Sequence, residues 1–206
     1  MGNTKQLILE TALDLFNRKG LSEVSLRVIA DEMSISQGNL TYHFKLRDDI
    51  IVALYYQFAN DISRLKIGSV SRDIKELNGI LSDRIKTIVK YRFVLSEIAN
   101  ITRDLKGIRE NFSELNSIRK QQLEKWIANY ISVGAFQPEV YENQHKRVVE
   151  RLTLLEDSWV VREQLRTRDK SSVIDLNNYH SLVFDYLFPY LTDKGKITFM
   201  KEYDLL

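Results

Sequence analysis

The chain has 206 residues, with 30 Lys or Arg and 28 Asp or Glu, so its formal net charge is +2. Hydrophobic residues make up 44% and charged residues 28%, and there are only 8 Gly and 2 Pro. This composition excludes a collagen-like, low-complexity or mostly disordered chain. The absence of cysteine excludes disulfides, thiolate metal sites and cysteine nucleophiles. The N-terminus has no signal-peptide pattern, and the longest apolar run, 50–56, is too short to cross a membrane, so we expect a soluble cytoplasmic protein with no membrane partner.

Apolar residues recur at steps of three and four, the spacing of amphipathic helices, from the N-terminus onwards. Leu9, Ala12 and Phe16 share one face of the first predicted helix, and Gly20 ends it after two cationic residues. Later in the chain, long helices separated by turn residues are predicted at 73–101, 108–133, 142–167 and 172–191. Because no sustained period-two alternation is present, the predicted fold class is all-α.

Two very short helices are predicted at 26–33 and 37–44, with Ser25 and Ser36 as their N-caps. Only Ser34 and Ile35 separate them. This spacing predicts a helix-turn-helix, in which the second helix is held across the first and lies in a DNA major groove.

The outward side chains of the second helix are uncharged hydrogen-bonding or aromatic groups, the types that contact base edges and phosphates. They belong to Gln37, Asn39, Thr41, Tyr42 and His43. Gly38 permits close backbone approach, either to a neighbouring helix or to a phosphate. Lys45 and Arg47 follow at once and place cations beside the duplex.

Residues 5–50 resemble the DNA-binding domain of the tetracycline-repressor (TetR) family of bacterial regulators. The matching stretches are 12–16 with Gly20, 25–30, 35–40, and 42–45 ahead of 47–50. The resemblance implies an N-terminal three-helix helix-turn-helix domain at 1–47. It also implies a C-terminal helical ligand-binding and dimerisation domain at 48–206.

Residue types and resemblance together predict ten DNA-binding residues. They are Arg27, Ser36, Gln37, Gly38, Asn39, Thr41, Tyr42, His43, Lys45 and Arg47. Three positions depart from the family pattern. Ser34 replaces a turn glycine and is strained if its φ is positive, Thr41 replaces a common tyrosine, and Arg47 replaces the usual phosphate-binding lysine. Residues 1–50 contain six basic and seven acidic residues, so DNA binding has to depend on where the cations lie.

In the TetR family, two late helices from each subunit form a four-helix dimer interface, which implies that 142–167 and 172–191 serve this purpose here. The predicted interface residues are Leu152, Leu155, Trp159, Leu182, Val183, Tyr186, Leu187 and Tyr190. The alternative is that these apolar stripes pack the core of the single chain.

Aromatic residues of the C-terminal part are candidates for an effector pocket that takes an apolar or aromatic small molecule. They are Tyr91, Phe93, Phe112, Trp126, Tyr130 and Trp159. The alternative is that these aromatic residues pack in the hydrophobic core of the single chain. The run Asp83-Arg84 is interpreted as a solvated helix face. No spacing of His, Asp and Glu indicates a metal site, and no cofactor is expected.

These observations predict a DNA-binding transcriptional regulator. In detail, we expect a homodimeric repressor whose two recognition helices lie about one helical turn (~34 Å) apart on a palindromic, double-stranded operator. A small-molecule effector would release it. The alternative is an all-α small-molecule-binding protein or enzyme that retains the helix-turn-helix only as scaffold. No nucleophile–base pair or glycine-rich phosphate loop supports an enzyme.

Overall fold

A computed structural model describes residues 2–65, 75–166 and 174–202 of the chain. These residues form α-helices joined by short turns, and within these ranges no strand occurs beyond one isolated bridge between Phe136 and Leu191. The helices are α1 (Gly2–Lys19), α2 (Leu26–Glu32), α3 (Gln37–His43), α4 (Arg47–Arg64), α5 (Lys75–Lys90), α6 (Arg92–Ser96), α7 (Ile98–Asp104), α8 (Lys106–Ser132), α9 (Gln144–Arg166), α10 (Leu176–Leu187) and α11 (Asp193–Glu202). The all-α prediction is confirmed. None of the described helices combines the length and the apolar character that a bilayer crossing needs.

The first three helices pack around side chains that the periodicity assigned to the core. Ala12 and Phe16 on α1, Ile29 and Ala30 on α2, and Leu40 on α3 are all buried. The small side chain of Ala30 lets α2 approach its neighbours closely, while the larger residues supply apolar contact area. Burial of apolar surface stabilises the fold by about 25 cal/mol for each Å² removed from water. Because Leu40 is the buried residue of α3, this helix is held in place mainly from one side.

The turn between α2 and α3 has the hydrogen bonds of a Schellman motif. The N–H of Ile35 donates to the Ala30 carbonyl at 3.0 Å, and the N–H of Ser34 donates to the Asp31 carbonyl at 3.1 Å. Ser34 has φ of 55°, which is the left-handed conformation that the sequence analysis associated with strain. A residue with a Cβ costs about 1–2 kcal/mol there. Immediately afterwards, Ser36 caps α3 by accepting the Asn39 N–H at 3.2 Å.

The single helix predicted at 73–101 is wrong, because the chain breaks at Tyr91 and again at Glu97 to give α5, α6 and α7. Asn17 of α1 lies at the first break. Its side-chain NH2 donates to the Lys90 carbonyl at 2.9 Å. The Val94 N–H donates to the Tyr91 carbonyl at 2.9 Å. Residues 73 and 74 lie outside the described ranges, as do 167, 172 and 173 at the ends of two other predicted helices.

The remaining differences lie in the C-terminal part. Gly107 falls between the predicted helices 73–101 and 108–133 but lies inside α8, and α11 was not predicted. Thr192 begins α11 by accepting the N–H of Gly195 on its hydroxyl at 3.0 Å. A side chain at Gly195 would overlap the Ala135 carbonyl oxygen, so the close packing of α11 on the turn after α8 requires glycine at this position.

Candidate nucleic-acid interface

The polar side of α3 is uncovered, as the helix-turn-helix interpretation requires. Gln37, Asn39 and Tyr42 are exposed, and Tyr42 retains 75% of its accessible surface. On the opposite side, Leu40 and Phe44 are buried and anchor the helix. Within the described ranges, nothing packs over this polar side.

Gly38 lies at the start of α3 with open space around it. A Cβ built on Gly38 would meet nothing nearer than the Ser36 Oγ, at 3.9 Å. The sequence left two explanations for this glycine, a neighbouring helix or a phosphate. The described part of the chain places no helix there, so packing against a neighbouring helix does not explain this glycine.

Three of the predicted DNA-binding residues also have local structural roles. The Ser36 hydroxyl caps α3, and the Thr41 hydroxyl donates to the Gly38 carbonyl at 3.1 Å. His43 is half-buried with its ring centroid 5.2 Å from that of Tyr42, in an edge-to-face arrangement. These groups are less available than Gln37 and Asn39 to read base edges.

Cations surround α3 at both ends. Lys45 is exposed just beyond the helix, and the Lys5 ammonium lies 5.3 Å from the centre of the Phe44 ring. Arg27, on α2, is exposed, with its Nε 3.8 Å from an Asp31 carboxylate oxygen. An ion pair this open to water is weak, so a phosphate can compete for Arg27.

Arg47 has a structural role that the sequence did not indicate. Its Nη1 donates to the Leu21 carbonyl at 3.0 Å, and its Nε lies 3.8 Å from the Asp48 carboxylate. The half-buried side chain therefore ties the start of α4 to the turn before α2. Replacement of Arg47 would disturb the domain as well as any phosphate contact, which makes Lys45 the better residue for testing charge.

The predicted dimer interface needs correction. Leu152, Trp159, Val183 and Leu187 are at most 2% exposed, because they pack inside the single chain, so they have no surface to offer a partner. The other four predicted residues, Leu155, Leu182, Tyr186 and Tyr190, keep part of their surface.

Two leucines of α9 that the sequence analysis missed are exposed. Leu154 retains 55% of its surface and Leu165 retains 82%. With Ser158 and Val161 they follow steps of four, three and four along the helix, so the same periodicity could have found a second stripe beside the buried one.

Of the six aromatic residues proposed as an effector pocket, Phe93 and Phe112 border described cavities, and these two cavities are separate. Ring contacts place the aromatic residues with different partners: Tyr91 with Phe58, Phe93 with Phe16, Trp126 with Tyr130 and Phe136, and Trp159 with Tyr179. Phe93 borders a cavity of about 220 Å³ between α1, α6 and the end of α9. Phe112 borders a separate, open groove of about 440 Å³ between α6, α7, α8 and α9. Most of these residues are core, which is the alternative stated from the sequence.

A buried ionic cluster connects four helices of the C-terminal part. Arg84 of α5, Arg119 of α8 and Glu156 of α9 have no exposed surface. The Arg84 Nε donates to Glu156 Oε1, and the Arg119 Nη2 donates to Glu156 Oε2 at 3.1 Å. Tyr179 of α10 also donates to Glu156 Oε1, at 3.4 Å, and Arg119 contacts Asp157 at 2.6 Å. The solvated helix face expected at Asp83-Arg84 is therefore wrong for Arg84.

Burial and charge act in opposite directions within this cluster. Burial alone would lower the pKa of Arg119, but Asp157 and Glu156 outweigh it and hold that pKa above its ordinary value. Burial raises the pKa of Asp157, while Arg119 opposes the rise. Burial, reinforced by the Glu156 charge, raises the pKa of Tyr179 well above 10, so its hydroxyl stays protonated and donates to the carboxylate.

Comparison with known proteins assigns both parts of the chain. A family model for "Bacterial regulatory proteins, tetR family" matches residues 8–54, and one for "Bacterial transcriptional repressor" (TetR) matches residues 57–199. The HTH-type transcriptional regulator AcrR of Shigella flexneri is 33% identical over 64 residues, which are 31% of this chain and 30% of AcrR. The probable HTH-type transcriptional regulator YttP of Bacillus subtilis is 34% identical over 62 residues, 30% of each chain. The chain thus matches less than a third of the length of either relative.

Solved structures show the same fold along nearly the whole chain. A TetR-family transcriptional regulator from Marinobacter aquaeolei VT8 superposes with a TM-score of 0.84 at 21% identity, covering 98% of both chains. A ketosteroid transcriptional regulator of Mycobacterium tuberculosis gives 0.64 at 19% identity, covering 94% of this chain and 97% of that one. Because a TetR family model covers more than half of the sequence, the chain belongs to the TetR family of bacterial transcriptional regulators, which are DNA-binding proteins and not enzymes.

Proposed function

We propose that the protein is a homodimeric repressor that binds a palindromic operator through α3 and is released from it by a small molecule. The observation that carries this proposal is the uncovered polar side of α3, with Gly38 open to close approach. Residues 1–47 would contact DNA, and residues 48–206 would form the dimer and hold the effector.

DNA reading would be divided between two kinds of residue. Gln37, Asn39 and Tyr42 are the exposed groups on α3 and would contact base edges and nearby phosphates. Lys45 and Arg27 would contact phosphates, fix the position of α3 in the groove and give binding its salt dependence.

The dimer would form on the exposed side of α9 and α10. Leu154 and Leu165 are exposed apolar residues of α9, and Leu182 of α10 keeps part of its surface. A helix-turn-helix of seven-residue helices contacts too few bases to be selective alone, whereas two copies one helical turn apart read both halves of a palindrome.

The effector would act by binding the DNA-incompetent arrangement better than the competent one, by a coupling of about 1–3 kcal/mol. Relatives of this fold support an apolar ligand. SmeT has been solved in complex with triclosan and superposes with a TM-score of 0.56 at 15% identity, covering 94% of both chains. Another relative is named for ketosteroid regulation.

The DNA-binding step is tested by selecting operators from a random library and then measuring Gly38→Ala. Alanine at an exposed helical position raises helix stability by up to about 1 kcal/mol, so the variant should unfold later than the wild type. Its operator affinity should nevertheless fall by about tenfold or more, because the methyl group blocks the close approach. Gly79→Ala on α5, where a Cβ also meets nothing within 4 Å, is the matched control and should keep full affinity. Undiminished operator binding by Gly38→Ala, or failure to select a palindrome, would contradict the proposal.

The dimer is tested by Leu154→Glu, which places a charge in the proposed interface. Sedimentation should show a folded monomer with weakened operator binding. Ile197→Glu on α11 changes an equally exposed apolar residue, 53% against 55%, and should leave the dimer intact. A dimer that survives Leu154→Glu at low micromolar concentration would show that another surface forms it.

A further inference from the structure

Arg84 is fully buried, but most of its hydrogen-bonding capacity is unused. Its Nε bonds Glu156, while both terminal nitrogens, Nη1 and Nη2, are buried and have no partner among the described residues. A guanidinium group carries five N–H donors, so four of them point into the protein interior unpaired. Buried donors are normally satisfied, and an unsatisfied group of this kind indicates a missing acceptor.

Among the described residues, no acceptor of the cluster bonds either of these nitrogens. Glu156 Oε1 already accepts from Arg84 and Tyr179, and Glu156 Oε2 accepts from Arg119. Within the cluster, the three charged groups without exposed surface are Arg84, Arg119 and Glu156, and their net charge is +1. The balancing carboxylate, Asp157, is 30% exposed and forms a bidentate pair with Arg119, so its hydrogen bonds go to Arg119 and not to Arg84.

The surroundings of Arg84 are apolar. One helical turn to either side on α5 are Leu81 and Ile88, both buried, and Ile85 is the next residue. On α9, three residues after Glu156, the Trp159 ring N–H is also buried and has no partner within the described ranges. A molecule that satisfied Arg84 would therefore meet hydrocarbon next to the guanidinium group, with one further donor in the neighbourhood.

We propose that Arg84 is the recognition residue for an effector that consists of a carboxylate on an apolar body. The two terminal nitrogens would bind both carboxylate oxygens in the parallel, bidentate geometry that guanidinium favours, while Nε stays on Glu156. This inference rests on the proposed function, which supplies the effector, and adds its chemical class and its anchor.

The position of Arg84 also supplies a path to the DNA-binding domain. Arg84 and Lys90 lie on the same helix, α5, and the Lys90 carbonyl is held by Asn17 of α1. A ligand that shifts Arg84 therefore displaces a rigid element that contacts the first helix of the DNA-binding domain.

The test begins with the wild-type protein and pairs of probes that differ only in charge: octanoate and decanoate against octanol and decanol, and 4-phenylbutyrate against 4-phenylbutanol. At least one carboxylate should raise the midpoint of thermal unfolding and weaken operator binding, and its alcohol should do neither at equal concentration. Alcohols as effective as the acids, or carboxylates without any effect on unfolding, would overturn the assignment.

The role of Arg84 is tested by Arg84→Lys, which keeps the positive charge but removes the bidentate guanidinium geometry. Carboxylate affinity should fall by about tenfold or more, while far-ultraviolet circular dichroism and operator binding without ligand stay near wild type. Arg109→Lys, at an exposed position on α8, is the matched control and should bind carboxylates normally. Unchanged affinity in Arg84→Lys would overturn the proposal. Operator binding is also measured without ligand, so the two proposals can be distinguished. Absence of DNA binding would contradict the proposed repressor function. DNA binding that carboxylates do not change would contradict only the role of Arg84.

Discussion

The side chain of Asn17 accepts a hydrogen bond from the backbone N–H of Phe93 at 3.1 Å, across a sequence separation of 76 residues. The same amide donates to the Lys90 carbonyl at 2.9 Å, so one side chain satisfies the backbone on both sides of the break between α5 and α6. Asn17 is 9% exposed. The first helix of the DNA-binding domain is thereby fastened to the point where the C-terminal helices change direction.

Replacement of Asn17 should both destabilise the protein and weaken communication between its two parts. Asn17→Ala leaves a buried carbonyl and a buried N–H unpaired, which costs about 2–3 kcal/mol in the free energy of unfolding. Urea unfolding measures that loss, and operator binding with and without effector measures the coupling, which should shrink. Asn60→Ala changes an exposed asparagine of α4 and should alter neither quantity. An unchanged effector response in a destabilised Asn17→Ala variant would show that coupling takes another route.

The strained turn between α2 and α3 predicts a substitution that stabilises the protein. Ser34→Gly removes the left-handed penalty while keeping the Schellman hydrogen bonds, so the free energy of unfolding should rise by about 1 kcal/mol. Chemical denaturation measures this rise. Asn143 has φ of 60°, and Asn143→Gly should gain less because asparagine tolerates this conformation better than serine does. A less stable Ser34→Gly variant would mean that the serine side chain makes up for its strain.

The helix ends show which parts of the fold the sequence could predict. Ser25 and Ser36 are the N-caps of the short helices α2 and α3, and their hydroxyls accept backbone N–H groups three residues ahead, so local chemistry sets where these helices start. The backbone on both sides of the break at Tyr91 is hydrogen-bonded to Asn17 of α1, which is far away in sequence. Periodicity within 73–101 carries no information about that contact, and the prediction of one continuous helix failed there.

The candidate site divides in the same way. Exposure of Gln37, Asn39 and Tyr42 followed from the alternation of polar and apolar positions on a helix anchored by Leu40. The dimer and pocket residues could not be separated from core by that argument, because a buried stripe and an interface stripe have the same period. Arg84 was misassigned for the converse reason: a charged residue is expected in water until its partner, here Glu156, is known.

Lys45 should account for a measurable part of the salt dependence of operator binding. It is exposed and has no hydrogen bond or ion pair among the described residues, so Lys45→Ala should leave stability unchanged. The slope of log affinity against log salt should become shallower by about 0.9 for each subunit that loses a phosphate contact. Affinity measured between low and moderate salt gives this slope. Lys146→Ala, on the exposed side of α9 and far along the chain from α3, is the control. Equal slopes for Lys45→Ala and the wild type would exclude a phosphate contact at Lys45.

Tyr186 links the packing of α10 on α9 to alkaline stability. Burial raises the pKa of its hydroxyl to about 12, with Arg151 opposing the rise, and the hydroxyl donates to the Val148 carbonyl at 3.0 Å. In the unfolded chain a tyrosine ionises near pH 10. Between about pH 10 and pH 12 the folded protein therefore holds a proton that the unfolded chain has released, and the free energy of unfolding falls as the pH rises through this window.

Tyr186→Phe should cost about 1 kcal/mol at neutral pH through the lost hydrogen bond, and its disadvantage should shrink above pH 10, because phenylalanine cannot ionise in either state. Urea unfolding at intervals from pH 7 to pH 11.5 measures both effects, and the other buried tyrosines contribute equally to the two proteins. Tyr42→Phe removes an exposed hydroxyl on α3, and its free energy of unfolding should differ from that of the wild type by a constant amount across this pH range. A difference between Tyr186→Phe and the wild type that stays constant across pH 10 to 11.5 would show that the Tyr186 hydroxyl does not hold its proton in the folded state.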